Sequence, residues 1–245
     1  MKVFVIIPAA GLGTRMAPLS AAKTHQKPPS KQFKELGGVP ILVRTLRKFA
    51  ATPEVYEIIV ALRKDEIAAF RTQLEKQFPE ILRKRLQIVE GGEHRQNSVA
   101  NALSAVAADP DDIVLVHDAV RPFVTPEIVG DVIEAAQKHG AAIAGWPAMD
   151  TVKQVDRTAT GALITATIPR EGIVMAQTPQ GFRYDVLKRA FDEGAADGFL
   201  GTDEASLIER AGQPVAVVMG SPKNIKITTP ADMELAEFYL KSSSE

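Results

Sequence analysis

Along this chain, short unbroken apolar runs alternate with segments whose apolar positions recur every three or four residues. The first run is Val3-Phe4-Val5-Ile6-Ile7, and others lie within 57–62, 86–89, 113–116 and 141–146. Runs of this length, rich in β-branched residues, predict buried strands. Between them, Leu42, Leu46 and Phe49 predict a helix that begins at Pro40, a residue suited to a first helical turn. Ile67, Phe70, Leu74 and Phe78 predict a helix over 64–78, Val99, Ala102, Leu103 and Val106 one over 95–108, and a further helix is predicted over 126–139. Strands alternating with helices imply an α/β fold with a largely parallel sheet and right-handed crossovers.

The pattern breaks at about 148–172. Two β-rich runs, 151–155 and 162–168, flank a turn containing Gly161, which predicts a projecting hairpin arm. Residues 176–182 read as a loop. Helices are predicted at 184–194 and 203–211, the second capped by Thr202 or Asp203, and late strands at 215–219 and 225–228. A last helix is predicted over 230–240. With no internal repeat and no linker-like stretch, residues 1–245 are expected to form a single domain with the arm inserted.

Composition narrows the classes. A net charge of −1 over 245 residues gives no global basic field, so nucleic acid is not an expected partner. The absence of cysteine removes disulfides and thiolate metal sites. The N-terminal apolar run is too short for a signal peptide, and no stretch approaches a membrane span of ~20 residues. The expectation is a soluble, cytoplasmic protein with no membrane association.

Candidate chemistry gathers at strand ends. In open parallel sheets, ligands bind beyond the strands' carboxyl ends. Gly11, Gly92 and Asp118 each follow an apolar run and are expected to meet at one edge. Gly11-Leu12-Gly13-Thr14-Arg15 followed by Lys31-Gln32-Phe33 reads as a phosphate-binding loop closed by cations. The plainer alternative is a glycine-rich turn. No Gly-Lys-Ser/Thr follows, and Met16 stands where a dinucleotide fingerprint needs its third glycine. Residues 16–31 hold Lys23, His25, Lys27 and Lys31 with no acid and three prolines, which predicts a basic lid or a surface insertion. Asp118 is a candidate for Mg²⁺ or a substrate hydroxyl, or else a turn residue. His117 is a possible base, though a histidine beside a strand end is more often hydrogen-bonded in place. Glycines and cations without a nucleophile–base pair suit phosphoryl or nucleotidyl transfer.

Several motifs, in order along nearly the whole chain, resemble those of the 2-C-methyl-D-erythritol 4-phosphate cytidylyltransferases. They are Ala9-Ala10-Gly11-Leu12-Gly13-Thr14-Arg15-Met16, Lys31-Gln32-Phe33, Gly91-Gly92-Glu93-His94-Arg95 with Ser98, and Val116-His117-Asp118-Ala119-Val120-Arg121-Pro122. Asp150-Thr151-Val152-Lys153, Gln177-Thr178-Pro179-Gln180, Thr202-Asp203-Glu204-Ala205-Ser206 and Asn224-Ile225-Lys226 complete the set. The resemblance implies a Rossmann-like nucleotidyltransferase fold, a homodimer joined through the arm, and a Mg²⁺-dependent reaction of CTP with methylerythritol phosphate. It matches Arg15 and Lys31 to stabilisation of the α-phosphate, and Arg170 and Lys226 to positioning of the attacking phosphate, with Arg170 serving the neighbouring subunit. It matches Ala9, Ala10, Gly11, Gly13, Gly92, Glu93 and Ser98 to nucleotide contacts. Asp118, Arg121, Thr151 and Thr178 match positions near the methylerythritol moiety or the metal.

Arg15 and Lys31 stand sixteen residues apart, wider than the family's usual spacing. Lys31 is chosen over Lys23 and Lys27 because it alone precedes Gln32-Phe33, and the extra residues are expected to form a longer lid ordered by CTP. The competing readings are a ribitol or ribulose 5-phosphate cytidylyltransferase and a non-catalytic nucleotide-binding protein. The short tail after Lys241 leads to the expectation that no further pathway enzyme is fused to this chain.

Overall fold

The computed structural model describes residues 1–11, 30–159 and 161–242. A seven-stranded sheet runs through it. Its strands are β1 (Val3–Pro8), β4 (Val55–Leu62), β5 (Arg85–Glu90), β6 (Ile113–Val116), β7 (Ala141–Pro147), β10 (Val174–Arg183) and β11 (Ala216–Met219). Their order across the sheet is β11-β7-β10-β6-β1-β4-β5. β10 runs antiparallel to both its neighbours, and the other pairings are parallel.

The unbroken apolar runs are explained by burial on both faces. Val3, Val5 and Ile7 of β1 face one core together with α1 (Ile41–Ala50), α2 (Lys64–Gln77) and α4 (Pro126–His139). Phe4 and Ile6 face a second core with α3 (Arg95–Ser104), α5 (Tyr184–Ala196) and α6 (Glu204–Arg210). Successive side chains of a strand point to opposite faces, so only a strand covered on both sides is apolar at every position. α4 begins at Pro126 after Thr125, whose hydroxyl caps Ile128 N, and ends at Gly140 with φ +86°, a left-handed conformation that favours glycine. The last helix, α7 (Pro230–Ser242), packs on a third, small cluster of Leu36, Ile41, Val120 and Ile227.

Among the described residues, the two strands of the arm, β8 (Val152–Thr158) and β9 (Gly161–Ile168), pair only with each other. A smaller hairpin not expected from the sequence, β2 (Glu35–Leu36) and β3 (Val39–Pro40), turns at Gly37 and Gly38.

Three sequence expectations are corrected. Residues 176–182, predicted as a loop, belong to β10 in the middle of the sheet. Pro179 falls where the register with β7 breaks, between Ala176 and Gln180, so its missing N–H costs no ladder bond. A Cβ on Gly181 would come within 2.7 Å of Val132 Cγ1, so glycine is needed for α4 to lie this close. Proline, glycine and glutamines mimic a loop locally, while β6 and β7 supply the pairing. Residues 225–228, predicted as a strand, are not one: Ile227 N donates to Val120 O, and the segment joins no ladder. The helix predicted over 95–108 stops at Ser104. Among the described residues, no helix is long and apolar enough to cross a membrane.

Candidate active site

A cleft of about 200 Å³ opens at the carboxyl ends of β1, β5 and β6. Its walls include Ala9, Ala10 and Gly11 from the exit of β1, Lys31 and Gln32, then Gly92, Glu93, His94, Arg95 and Ser98, then Asp118, Ala119 and Val120, and finally Lys226. The three strand ends expected to meet, at Gly11, Gly92 and Asp118, do meet here.

Each wall is held by the local sequence. Ala9 N donates to Ala61 O at 2.8 Å, which extends β1's pairing with β4 by one step. Gln32, 1% exposed, donates Nε2 to Ala9 O at 2.5 Å and so ties the Lys31–Phe33 turn to the exit of β1. Ser30 Oγ anchors the same turn on Glu66 at 2.5 Å, and the Phe33 ring packs against Phe70. Gly91 and Gly92 allow β5 to turn into α3 at close quarters. A Cβ on Gly91 would stand 2.5 Å from Ala10 Cβ, and one on Gly92 would stand 2.3 Å from Asn97 Cβ. Ser98 Oγ accepts from Gly92 N at 3.1 Å. Because α3 starts at the cleft, the positive end of its dipole lies there, as suits a phosphate group.

Asp118 is 7% exposed and accepts from three cations. Oδ1 receives Arg95 Nε at 3.4 Å; Oδ2 receives Lys226 Nζ at 2.9 Å and Arg121 Nε at 3.3 Å. Burial alone would raise this carboxyl, but Arg95, Lys226 and Arg121 together hold it well below the usual carboxylate range. Arg121 Nη1 in turn donates to Asn224 O at 2.7 Å. Behind this layer, His117 is fully buried between the edge of Phe49 and two polar partners, with Nε2 at Arg121 O (3.0 Å) and Nδ1 at Thr178 Oγ1 (3.2 Å). Burial pushes the imidazole down to about 4. It is a neutral strut under the Asp118 turn, so the reading of His117 as a base is set aside. Thr178 Oγ1 accepts from Asp118 N at 3.0 Å, so it too lies behind Asp118.

Not every candidate reaches the cleft. Thr151 and Arg170 are exposed at the base of the arm and do not line it in their own chain; Arg170 Nη1 donates to Met149 O. Gly13, Arg15 and the expected lid, with Lys23 and Lys27, lie outside the described residues. The expectation of Mg²⁺ on Asp118 does not fit this arrangement, because both its oxygens already accept from cations. Among the described residues, no group of three or more His, Cys, Asp or Glu side chains converges as a metal site.

Two residues of the site, Arg95 and Glu204, had no role assigned from the sequence. Arg95 Nη1 donates to both Glu204 oxygens, at 2.6 and 2.8 Å, and Glu204 is 1% exposed. One signal was readable. Arg95 is the first residue of α3, where a cation opposes the helix dipole. A locally unfavourable choice of this kind marks a residue held by something else.

An α/β sheet with a glycine-lined, cation-rimmed cleft at its carboxyl edge defines a nucleotide-handling transferase class. The family model of IspD, 2-C-methyl-D-erythritol 4-phosphate cytidylyltransferase, matches residues 3–242. The protein of that name from Acidobacterium capsulatum is 58% identical, with 100% of this chain and 99% of the relative covered. The one from Solibacter usitatus is 52% identical over 100% and 98% of the two chains. The crystal structure of Francisella tularensis 2-C-methyl-D-erythritol 4-phosphate cytidylyltransferase is 36% identical with a TM-score of 0.79, over 97% of this chain and 99% of that one. The chain belongs to the 2-C-methyl-D-erythritol 4-phosphate cytidylyltransferase family.

Proposed function

We propose that this chain transfers the cytidylyl group of CTP to 2-C-methyl-D-erythritol 4-phosphate, giving 4-diphosphocytidyl-2-C-methyl-D-erythritol and pyrophosphate for isoprenoid precursor synthesis. The observation that carries this reading is the convergence of the β1 exit loop, Lys31, Asp118 and Lys226 on one cleft, in a chain matched to the family from residue 3 to 242.

In the reaction, an oxygen of the acceptor phosphate attacks the α-phosphorus of CTP, and the bond to the β-phosphate oxygen breaks as pyrophosphate leaves. Negative charge builds on the α-phosphate oxygens, and the cations assigned there are Lys31 and Arg15. The backbone of Ala9, Ala10 and Gly11, with Gly92, Glu93 and Ser98, is the proposed seat of the nucleotide, and Gly13 is assigned to it from the resemblance. Lys226 and Arg170 are assigned to the acceptor phosphate, where they offset its repulsion by the triphosphate. Asp118, Arg121, Thr151 and Thr178 are assigned near the methylerythritol moiety, Asp118 also holding Lys226 by an ion pair and Thr178 holding Asp118 through its backbone N–H. Magnesium is proposed to arrive on the triphosphate, whose charge it screens, since this ion usually binds through substrate phosphates and few carboxylates.

The arm supports a homodimer. A two-stranded hairpin alone is marginally stable in water, yet this one exposes Val155, Leu163 and Ile164. Pairing with a second copy would cover them and offer Arg170 and Thr151 to that copy's cleft. The dependence on CTP supports a cytoplasmic location.

The test is pyrophosphate release from Mg–CTP with methylerythritol phosphate and ribitol phosphate offered separately. Release with the first alone is expected. Release with the second alone would keep the chemistry and change the substrate, and release with neither would leave a nucleotide-binding protein.

A further inference from the structure

The cations of the cleft are held by a chain of ion pairs that begins outside it. Glu204 opens α6, and its place is set from both sides. Asp203 caps Ser206 N at 3.0 Å, and the buried Gln180 side chain accepts from Ala205 N at 3.1 Å. Glu204 takes Nη1 of Arg95 with both oxygens, while Arg95 Nε reaches Asp118 Oδ1 at 3.4 Å. Arg95 is thus divided between two acids, with the shorter contacts on Glu204. Asp118 is divided in turn. Its Oδ1 faces Arg95, and its Oδ2 accepts from Arg121 and from Lys226. Lys226 stands at the cleft wall with its side chain 35% exposed.

An arginine faces a carboxylate best through two parallel N–H bonds. Glu204 therefore holds Arg95 to a single bond on Asp118 Oδ1, and that bond turns Oδ2 toward Lys226: without Glu204 the fork can close on both Asp118 oxygens and displace Lys226, and without Arg95 as well Oδ1 loses the partner that orients the carboxylate. Stability alone is a poor reason for this pair, because a buried ion pair is commonly no better than apolar side chains of the same size. Burial pushes the Glu204 carboxyl up, and the permanently charged Arg95 opposes that shift.

We propose that Arg95 and Glu204 are positioning residues for the phosphate acceptor: by dividing Arg95 between two acids, they keep Asp118 Oδ2 available to Lys226. The inference rests on the cytidylyltransferase reading of the cleft and names a part of its machinery. It predicts that damage to the pair is felt through Lys226 by the acceptor and spares the nucleotide.

The experiment compares wild type, Glu204→Gln, the apolar double variant Arg95→Met/Glu204→Met, Lys226→Met, and each of the first two changes combined with Lys226→Met. For each, KM for CTP, KM for methylerythritol phosphate, kcat and the melting temperature are measured. Glu204→Gln is expected to raise the acceptor KM by about tenfold or more and to leave the CTP KM within about threefold. The apolar double variant is expected to melt near wild type while its acceptor KM stays raised. Added to Lys226→Met, neither change should move the acceptor KM by more than about twofold, since residues acting through one group are not additive. Equal rises in both KM values, restoration of the acceptor KM by the apolar pair, or multiplied effects in the Lys226→Met background would overturn the proposal.

A wild type without turnover would instead sink the assigned function, and a second reading then serves. With lysines ¹³C-dimethylated and the Lys226 signal assigned by its loss in Lys226→Met, Glu204→Gln and the apolar pair should move that signal toward those of exposed lysines. An unmoved signal would overturn the proposal without any substrate.

Discussion

The cleft and the arm are built on opposite terms. In the cleft, polar side chains are closely partnered: Gln32 on Ala9 O, Thr178 on Asp118 N, Asp118 on three cations, Arg95 on Glu204. In the arm, β8 and β9 satisfy only each other's backbones, and Leu163 and Ile164 stand 67% and 64% exposed. The cleft is fixed by its own chain; the arm has apolar surface that the described residues of its own chain do not cover. A substitution in the cleft should therefore act on chemistry or folding, and one on the arm should act on association.

The largest expected effect is in the cleft. Lys31→Ala should lower turnover about 100-fold or more with CTP binding partly retained, the scale at which loss of one group that stabilises transition-state charge is felt. Lys23→Ala and Lys27→Ala should remain active in the same pyrophosphate-release assay. A dead Lys27→Ala beside an active Lys31→Ala would move the catalytic lysine into 12–29.

Next comes the arm. Leu163→Asp together with Ile164→Asp should leave a folded chain that sediments as a monomer, with turnover down about tenfold or more if the arm delivers Arg170 to a neighbour's cleft. A fully active monomer would show that each cleft is self-sufficient and would erase the contrast drawn above.

A smaller effect separates folding from chemistry within the cleft. Folded His117 titrates at about 4, below its ordinary value of 6.5. As pH falls through 6.5, the unfolded chain takes up a proton that the folded chain refuses until about 4. Stability present above pH 6.5 is thus lost on acidification, by about 2 kcal/mol between pH 7 and 5. Urea unfolding at both pH values should find this slope reduced in His117→Asn. The smallest effect returns to the arm. Lys153 Nζ donates to Thr167 Oγ1 at 2.7 Å, but the pair is solvent-exposed. Lys153→Ala should change unfolding stability by no more than about 0.5 kcal/mol.

Much of the fold was legible because its signals are local. Ile113-Val114-Leu115-Val116 read as a buried strand and is one, and Thr125-Pro126 with Gly140 marks both ends of α4. The meeting of Gly11, Gly92 and Asp118 followed from the rule for parallel sheets once the strands were placed. Lys226 was a different case. Pattern alone offered no reason to select it, and only the resemblance to a family named it before Asp118 was seen 2.9 Å away.

What the sequence determined by itself was the alternation of strands and helices, the arm, and the strand ends that carry chemistry. These depend on neighbours a few residues apart, through periodicity, caps and turn residues. What tertiary structure alone decided was the place of β10, the irregular run at 225–228, and the ion pairs that aim Lys226. β10 is a strand because β6 and β7 flank it, whatever its own proline and glycine suggest. Arg95 meets Glu204 across 109 positions of chain. The free energy of such contacts depends on burial and on partners that exist only once the sheet has brought them together.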